Sequence, residues 1–240
     1  MRNHGLGLAG SFLVILLTTG ACGASSEAGA KPSPPVVASP LGSSVVGASP
    51  TQLPLLSPDE FWTGLFSGDP DFTEFLSIGS LIKYSDAVVL ASLESVSAGT
   101  SYDAGGPIEL DAIVMIHVER VLHGSLTATT STTVPINVVL GLSNWDEYGP
   151  LLAQLKASMP HERGILFLQN LASWDKRMTG ASTSKYDPSL YHVVSAQGII
   201  RDANGVARPA LNAPGTWPQT LNGQSFDAIV SQVASAMPDK

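Results

Sequence analysis

The chain has 240 residues, 44% of them hydrophobic, a formal charge of −8 and one cysteine. That length is enough to bury one core. The negative charge excludes long-range attraction to nucleic acid or an anionic bilayer surface, and a lone thiol excludes an internal disulfide or a thiolate-built metal site. The charge is uneven: residues 59–147 hold 13 acids against Lys83 and Arg120, whereas residues 148–240 hold 8 bases and 6 acids.

The chain opens with Arg2 and an apolar run from Leu6 to Leu17. That run is too short for a helix that spans a bilayer, which needs about twenty residues. A basic start, a short apolar core and a small-residue exit read as a signal peptide over residues 1–21. The exit, Thr19-Gly20-Ala21-Cys22, resembles the lipobox of bacterial lipoproteins. The resemblance implies cleavage before Cys22 and acylation of its thiol, and so an extracytoplasmic protein anchored to the membrane. Two or more acyl chains make such an anchor stable, where one gives only marginal binding. Residues 22–53 follow as a lipidated Cys and a Ser/Pro/Ala-rich tether. Prolines 32, 34, 35, 40 and 50 forbid a long helix there, and little apolar mass is available to bury.

A single globular domain is expected over residues 54–240. In "SPDEFWTGLF", Ser57 caps a helix, Pro58 fits its first position and Glu60 completes a capping box. A second short helix is expected at 77–85. "AVVLASLESVSA" (87–98) is a strand with a break in its alternation after Leu90. In "ELDAIVMIHVERVLHG", Val114, Ile116 and Val118 point one way and Met115, His117 and Glu119 the other; Gly124 ends the strand. A third strand covers 132–141, where Pro135 suggests an edge or a bulge. A helix of about nine residues follows Pro150, and "RGILFLQNL" (163–171) is a buried strand. "LYHVVSAQGIIRDANGVARPAL" is a strand running into a hairpin with Asn204-Gly205 as a type I′ turn. An amphipathic helix capped by Ser225 closes the chain, with Phe226, Ile229, Val230 and Val233 on one face.

Strand, strand, strand, helix, strand, strand predicts an α+β fold, mainly antiparallel β. Two architectures fit: a small OB-like five-stranded barrel with its helix between strands three and four, or a small sheet with short flanking helices. The stretches "SDAVVLASLESVSA", "IVMIHVERVLHG", "RGILFLQNL" and "YHVVSAQGIIRDANG" are similar to a broad set of β-rich bacterial secreted and lipoprotein domains of unknown function. His123 stands where that set usually has lysine. This resemblance implies a fold and an address but no activity.

Chemistry-bearing motifs are sparse. Ser195 in "VVSAQG" lacks the first glycine of a nucleophile elbow, and no H-E-x-x-H or phosphate loop occurs. His117 and Glu119 share a strand face and could form half of a metal or acid–base site, or simply a solvated face. With His161 and His192 they are the catalytic suspects. Asp103, Glu109 and Asp111 flank a Gly-Gly-Pro loop and are candidate calcium ligands. Trp217, between prolines, could anchor a glycan or protein, or fold back on the core. No cofactor is expected. The expected partners are the membrane, through Cys22, and an envelope protein or cell-wall component. The sequence therefore points to a non-catalytic binding module at the cell envelope, or alternatively to an envelope hydrolase whose site is assembled from distant residues.

Overall fold

The computed structural model describes residues 53–66, 75–99, 110–126, 132–142, 144–210 and 217–237. The chain divides into Met1–Ser49 and Pro50–Lys240, and all described residues belong to the second unit. Cys22 and nearly all of the expected tether lie outside the described residues, as do Asp103 and Glu109.

In chain order the elements are α1 (Pro58–Phe66), α2 (Ile78–Tyr84), β1 (Ala87–Ala98), β2 (Leu110–Gly124), β3 (Thr133–Leu142), α3 (Trp145–Ala157), β4 (Arg163–Asn170), α4 (Leu171–Thr179), β5 (Tyr191–Val193), β6 (Ile199–Ala203), β7 (Val206–Pro209) and α5 (Phe226–Ser235). Five strands close on themselves in the order β1-β2-β3-β5-β4, because β4 returns to pair with β1 from Ala87↔Leu168 to Ser92↔Arg163. All contacts in the ring are antiparallel except β3–β5, a parallel seam pinned at Ile136↔Tyr191. This is an OB-like barrel within an α+β fold, with α3 between its third and fourth strands. The β6–β7 hairpin extends it by pairing β6 with the first half of β4.

The barrel has two apolar layers. Val89, Ala91, Leu93, Val114, Ile116 and Ile136 point inward, joined by Phe61, Trp62, Leu65 and Phe66 of α1 and by Tyr148, Leu152 and Leu155 of α3. Val88 and Leu90 of β1, Ile165 and Phe167 of β4, and Ile200 of β6 point outward. They are buried beneath Leu81 of α2 and Phe226, Ile229 and Val233 of α5. Burial on both faces is why β1 and β4 read as near-continuous apolar runs, a pattern expected for strands covered on both sides. Burying the four apolar residues of α5 contributes about 1.5–3 kcal/mol each. The barrel interior is filled. The cavity beneath Trp62, Leu65 and Phe66 is only about 10 Å³, and its apolar lining offers a water no partner.

The break after Leu90 is a change of face: Val88 and Leu90 belong to the outer layer and Leu93 to the inner one. A bulge follows further along β1. Leu93 pairs with Ile116 and Ser95 with Met115, so Glu94 is the extra residue. It lets both Leu93 and Val96 face inward although they are three apart. Pro135 carries no bulge: the register with β2 runs through Met115↔Pro135 without a shift. Its strand is edge-like on the other side, where β5 meets it at one bridge.

Both expected N-terminal helices form, the first with its expected cap. Glu60 Oε2 accepts from the Ser57 backbone N–H at 2.8 Å while the Glu60 N–H donates back to Ser57 Oγ. Ser77 and Ser80 make the equivalent box in α2. Three local expectations are corrected. Helix α3 begins five residues before Pro150, because Asn144 Oδ1 accepts the Asp146 N–H and starts it early; Pro150 then sits inside, at the expense of one helical hydrogen bond. Helix α4 was not foreseen: Asn170 ends β4 and caps a helix in the same step, accepting the Ser173 N–H. Ser225 occupies the cap position of α5, but its side chain makes no capping bond. The Phe226 N–H instead goes to the carbonyl of Gly205 in the β6–β7 turn, at 2.9 Å.

Candidate functional site

The outer surface of the barrel is unequal around its circumference. On β1 and β4 it is sealed by α2 and α5. On β2 and β3 and the far end of β1 it is part-exposed, and the pairing registers define its rows. Ser92, His117 and Thr133 lie side by side, then Ser95, Met115 and Pro135, then Ser97, Ile113 and Asn137. The bulge at Glu94 sets this face: it turns Ser95 and Ser97 outward beside Ser92, giving a column of serines along an apolar stripe of Ile113 and Met115. In barrels of this type the face of strands two and three is a frequent ligand surface.

At one end of the face Glu94 joins two neighbours. Its Oε1 lies 3.6 Å from His117 Nδ1, and its Oε2 accepts from Thr133 Oγ1 at 3.1 Å. The His117 and Glu94 side chains are 44% and 42% exposed, so the pair contributes little to stability, well under about 1 kcal/mol. At the other end the face closes. Asp111 and Asn137 are buried, with Asn137 Nδ2 donating to Asp111 Oδ2 at 3.0 Å. The Tyr148 hydroxyl from α3 donates to the Asp111 carbonyl at 2.8 Å. Burial pushes the Tyr148 phenol above its ordinary value, because removal from water penalises the phenolate.

The sequence suspects have separate surroundings. His117 meets Glu94 across the sheet, while Glu119, on its own strand, is exposed. His161 is exposed just before β4. His192 in β5 is half-buried, with Nε2 3.2 Å from Gln169 Oε1 and its ring 5.3 Å from that of Trp174. Among the described residues, no three His, Cys, Asp or Glu side chains converge in a way that could hold a metal ion. Asp111 is in β2, committed to Asn137, while the other two calcium candidates lie outside the described residues. Ser195 is buried and caps a single 3₁₀ turn, accepting the Gln197 N–H. Trp217 starts another such turn, Trp217–Leu221, and packs half-buried against the outer core.

A polar cluster that no motif announced lies where α1 meets β6. Arg201 is 3% exposed. Its Nη1 donates to Glu162 Oε1 at 3.1 Å and its Nη2 to Asp59 of α1. The indole N–H of Trp62 donates to the same Glu162 oxygen at 3.0 Å. Beside it Arg163 bridges Asp202 and Asp227, at 2.8 and 3.1 Å. The Asp202 carboxylate and its hydrogen bond push the Arg163 guanidinium above its ordinary value. Together these pairs fasten α1 and α5 to the barrel and its hairpin, which is a structural role. The partners are 39 to 142 residues apart, so only the fold could reveal them. Comparison with known protein families, with curated proteins and with solved structures finds no match.

Proposed function

We propose that this chain is an extracytoplasmic lipoprotein, anchored to the membrane by an acylated Cys22, whose OB-like barrel is a non-catalytic binding module. Its ligand is an envelope protein or a cell-wall component, met by the outer face of β1, β2 and β3. One observation carries the binding role: the outward residues Val88 and Leu90 of β1 and Ile165 and Phe167 of β4 are buried under helices, whereas Ile113, Met115, His117, Thr133 and Pro135 are left part-exposed on one continuous face. Part-exposed apolar side chains rimmed by hydroxyls suit recognition. The address rests on the lipobox-like sequence, and the choice of binding over catalysis rests partly on analogy with other barrels of this fold.

The experiment is a crosslinked pull-down from intact cell envelopes with the full chain, its Cys22→Ala form and a Met115→Arg form. We expect a near-stoichiometric partner with the wild type, its loss with Met115→Arg at unchanged melting temperature, and lipid mass on the first residue of the mature protein. An unlipidated mature protein overturns the address. Recovery undiminished by Met115→Arg overturns the face.

A further inference from the structure

The β6–β7 hairpin turns through Asn204 and Gly205, with φ of 58° and 85°. Both residues are exposed. Among the described residues, a methyl group added at Gly205 would meet nothing within 4 Å. An asparagine followed by glycine is the pair in which backbone attack on the side-chain amide is least hindered, since the attacking nitrogen belongs to a residue without a side chain. One contact restrains that nitrogen here, and a second fixes its acceptor. The Gly205 N–H donates to Asp202 Oδ1 at 2.6 Å, and Arg163 Nε holds the other oxygen of the same carboxylate at 2.8 Å.

We infer that Asn204 is a site of spontaneous deamidation, and that Asp202 is the latch that keeps it slow. In the reaction the Gly205 nitrogen gives up its proton to solvent and bonds to Asn204 Cγ. Nδ2 takes up a proton from solvent, the bond from Cγ to Nδ2 breaks, ammonia leaves, and a five-membered succinimide remains. Water then opens either carbonyl, giving aspartate or isoaspartate at position 204. Asp202 opposes the first step twice. It orients the Gly205 N–H toward its own oxygen, and its negative charge disfavours a developing anion on that nitrogen. It is far too weak a base to remove an amide proton itself.

The product matters for the fold. Isoaspartate adds a backbone carbon to a two-residue turn, whose register the hairpin depends on. It also displaces the Gly205 carbonyl from the Phe226 N–H at the start of α5. Deamidation is therefore expected to loosen the closing helix from the outer core.

The test is peptide mapping of the full chain incubated at mildly alkaline pH, scoring amide-to-acid conversion and isoaspartate at 204. It compares wild type, Asp202→Ala and Arg163→Gln, each folded and in urea. Arg163→Gln keeps the carboxylate but frees it, so the latch can be tested without removing Asp202. We expect conversion several-fold faster in both folded variants than in folded wild type, and equal rates for all three in urea. Circular dichroism at the incubation temperature confirms that the variants remain folded. Equal rates in all folded proteins, or a folded wild type that converts as fast as its unfolded chain, overturns the latch. Conversion in urea but in no folded protein overturns the site.

Discussion

Arg201 of β6 and Glu162, the residue before β4, meet at 3.1 Å, and the Glu162 oxygen that receives the guanidinium also receives the indole of Trp62. A sheet strand, a loop and the first helix thus share one carboxylate. Arg201 is 97% buried, whereas its second partner, Asp59, is 66% exposed. Removing Glu162 leaves a buried charge short of its better-shielded partner. Glu162→Ala should therefore cost about 3–5 kcal/mol, and Asp59→Ala about 1 kcal/mol or less. Glu162→Gln retains an acceptor for Trp62 and should fall between the two. Urea unfolding at neutral pH measures all three. Similar losses at Asp59 and Glu162 would contradict a role for burial.

Tyr148 gives a pH dependence. Its hydroxyl donates to the Asp111 carbonyl, and burial raises its value above the ordinary 10.0. The folded protein therefore keeps a proton that the unfolded chain has released once the pH passes about 10. Unfolding then releases a proton, and stability falls with rising pH in that window. Tyr148→Phe should cost about 1 kcal/mol at neutral pH. The difference between wild type and variant should shrink as the pH rises above 10, since only the wild type carries the alkaline penalty at this position. Parallel unfolding curves over that range would refute the raised phenol.

Two glycines with positive φ differ in what surrounds them. At Gly124 a Cβ would sit 2.1 Å from the Asp86 carbonyl oxygen. That carbonyl cannot easily retreat: it accepts from Ser125, and the Asp86 side chain accepts from Asn170. At Gly205 a Cβ would meet no atom of the described residues within 4 Å. Gly205→Ala should cost only the left-handed backbone strain, about 1–2 kcal/mol. Gly124→Ala adds a clash to that strain and should cost more, with a melting temperature several degrees below that of Gly205→Ala. A reversed order would mean the β1–β2 corner is looser than its hydrogen bonds indicate.

Where a feature is local, the sequence was readable. The Ser57–Glu60 capping box, the alternation of β2 and the Asn204-Gly205 turn each depend on residues within a few positions, and each forms as expected. The order of strands around α3 fitted a barrel, and it fitted a small sheet with flanking helices as well. The closure that decides between them was not readable, because the bond between β1 and β4 spans some 75 residues and no pattern marks it. The break after Leu90 was visible as a break, but its meaning, a switch from the outer to the inner layer, depended on the helices that cover the outer face, and the bulge at Glu94 depended on pairing with β2. The same register hid the partner of His117: two residues along its own strand Glu119 points to solvent, while Glu94 arrives from the neighbour. Helix α4 was missed because Leu171 looked like the end of a buried strand, and Asn170 reads equally well as strand or cap. Arg201 sits in an ordinary hairpin sequence, and its burial follows only from the docking of α1.

The unequal outer surface of the barrel yields the last prediction. Phe167 and Met115 both point outward from barrel strands, on β4 and β2. Phe167 is fully buried beneath the closing helix layer, whereas Met115 is part-exposed between Ser95 and Pro135. Phe167→Ala should leave a cavity between sheet and helix and cost about 3–5 kcal/mol. Met115→Ala removes contacts that water already shares and should cost about 1 kcal/mol or less. If calorimetry gave the two a similar loss, the β2–β3 surface would belong to the core, and its residues would be held by packing. If the difference is as large as expected, the apolar character of Met115 contributes little to folding, and its presence in the middle of an exposed row is better explained by what that row touches.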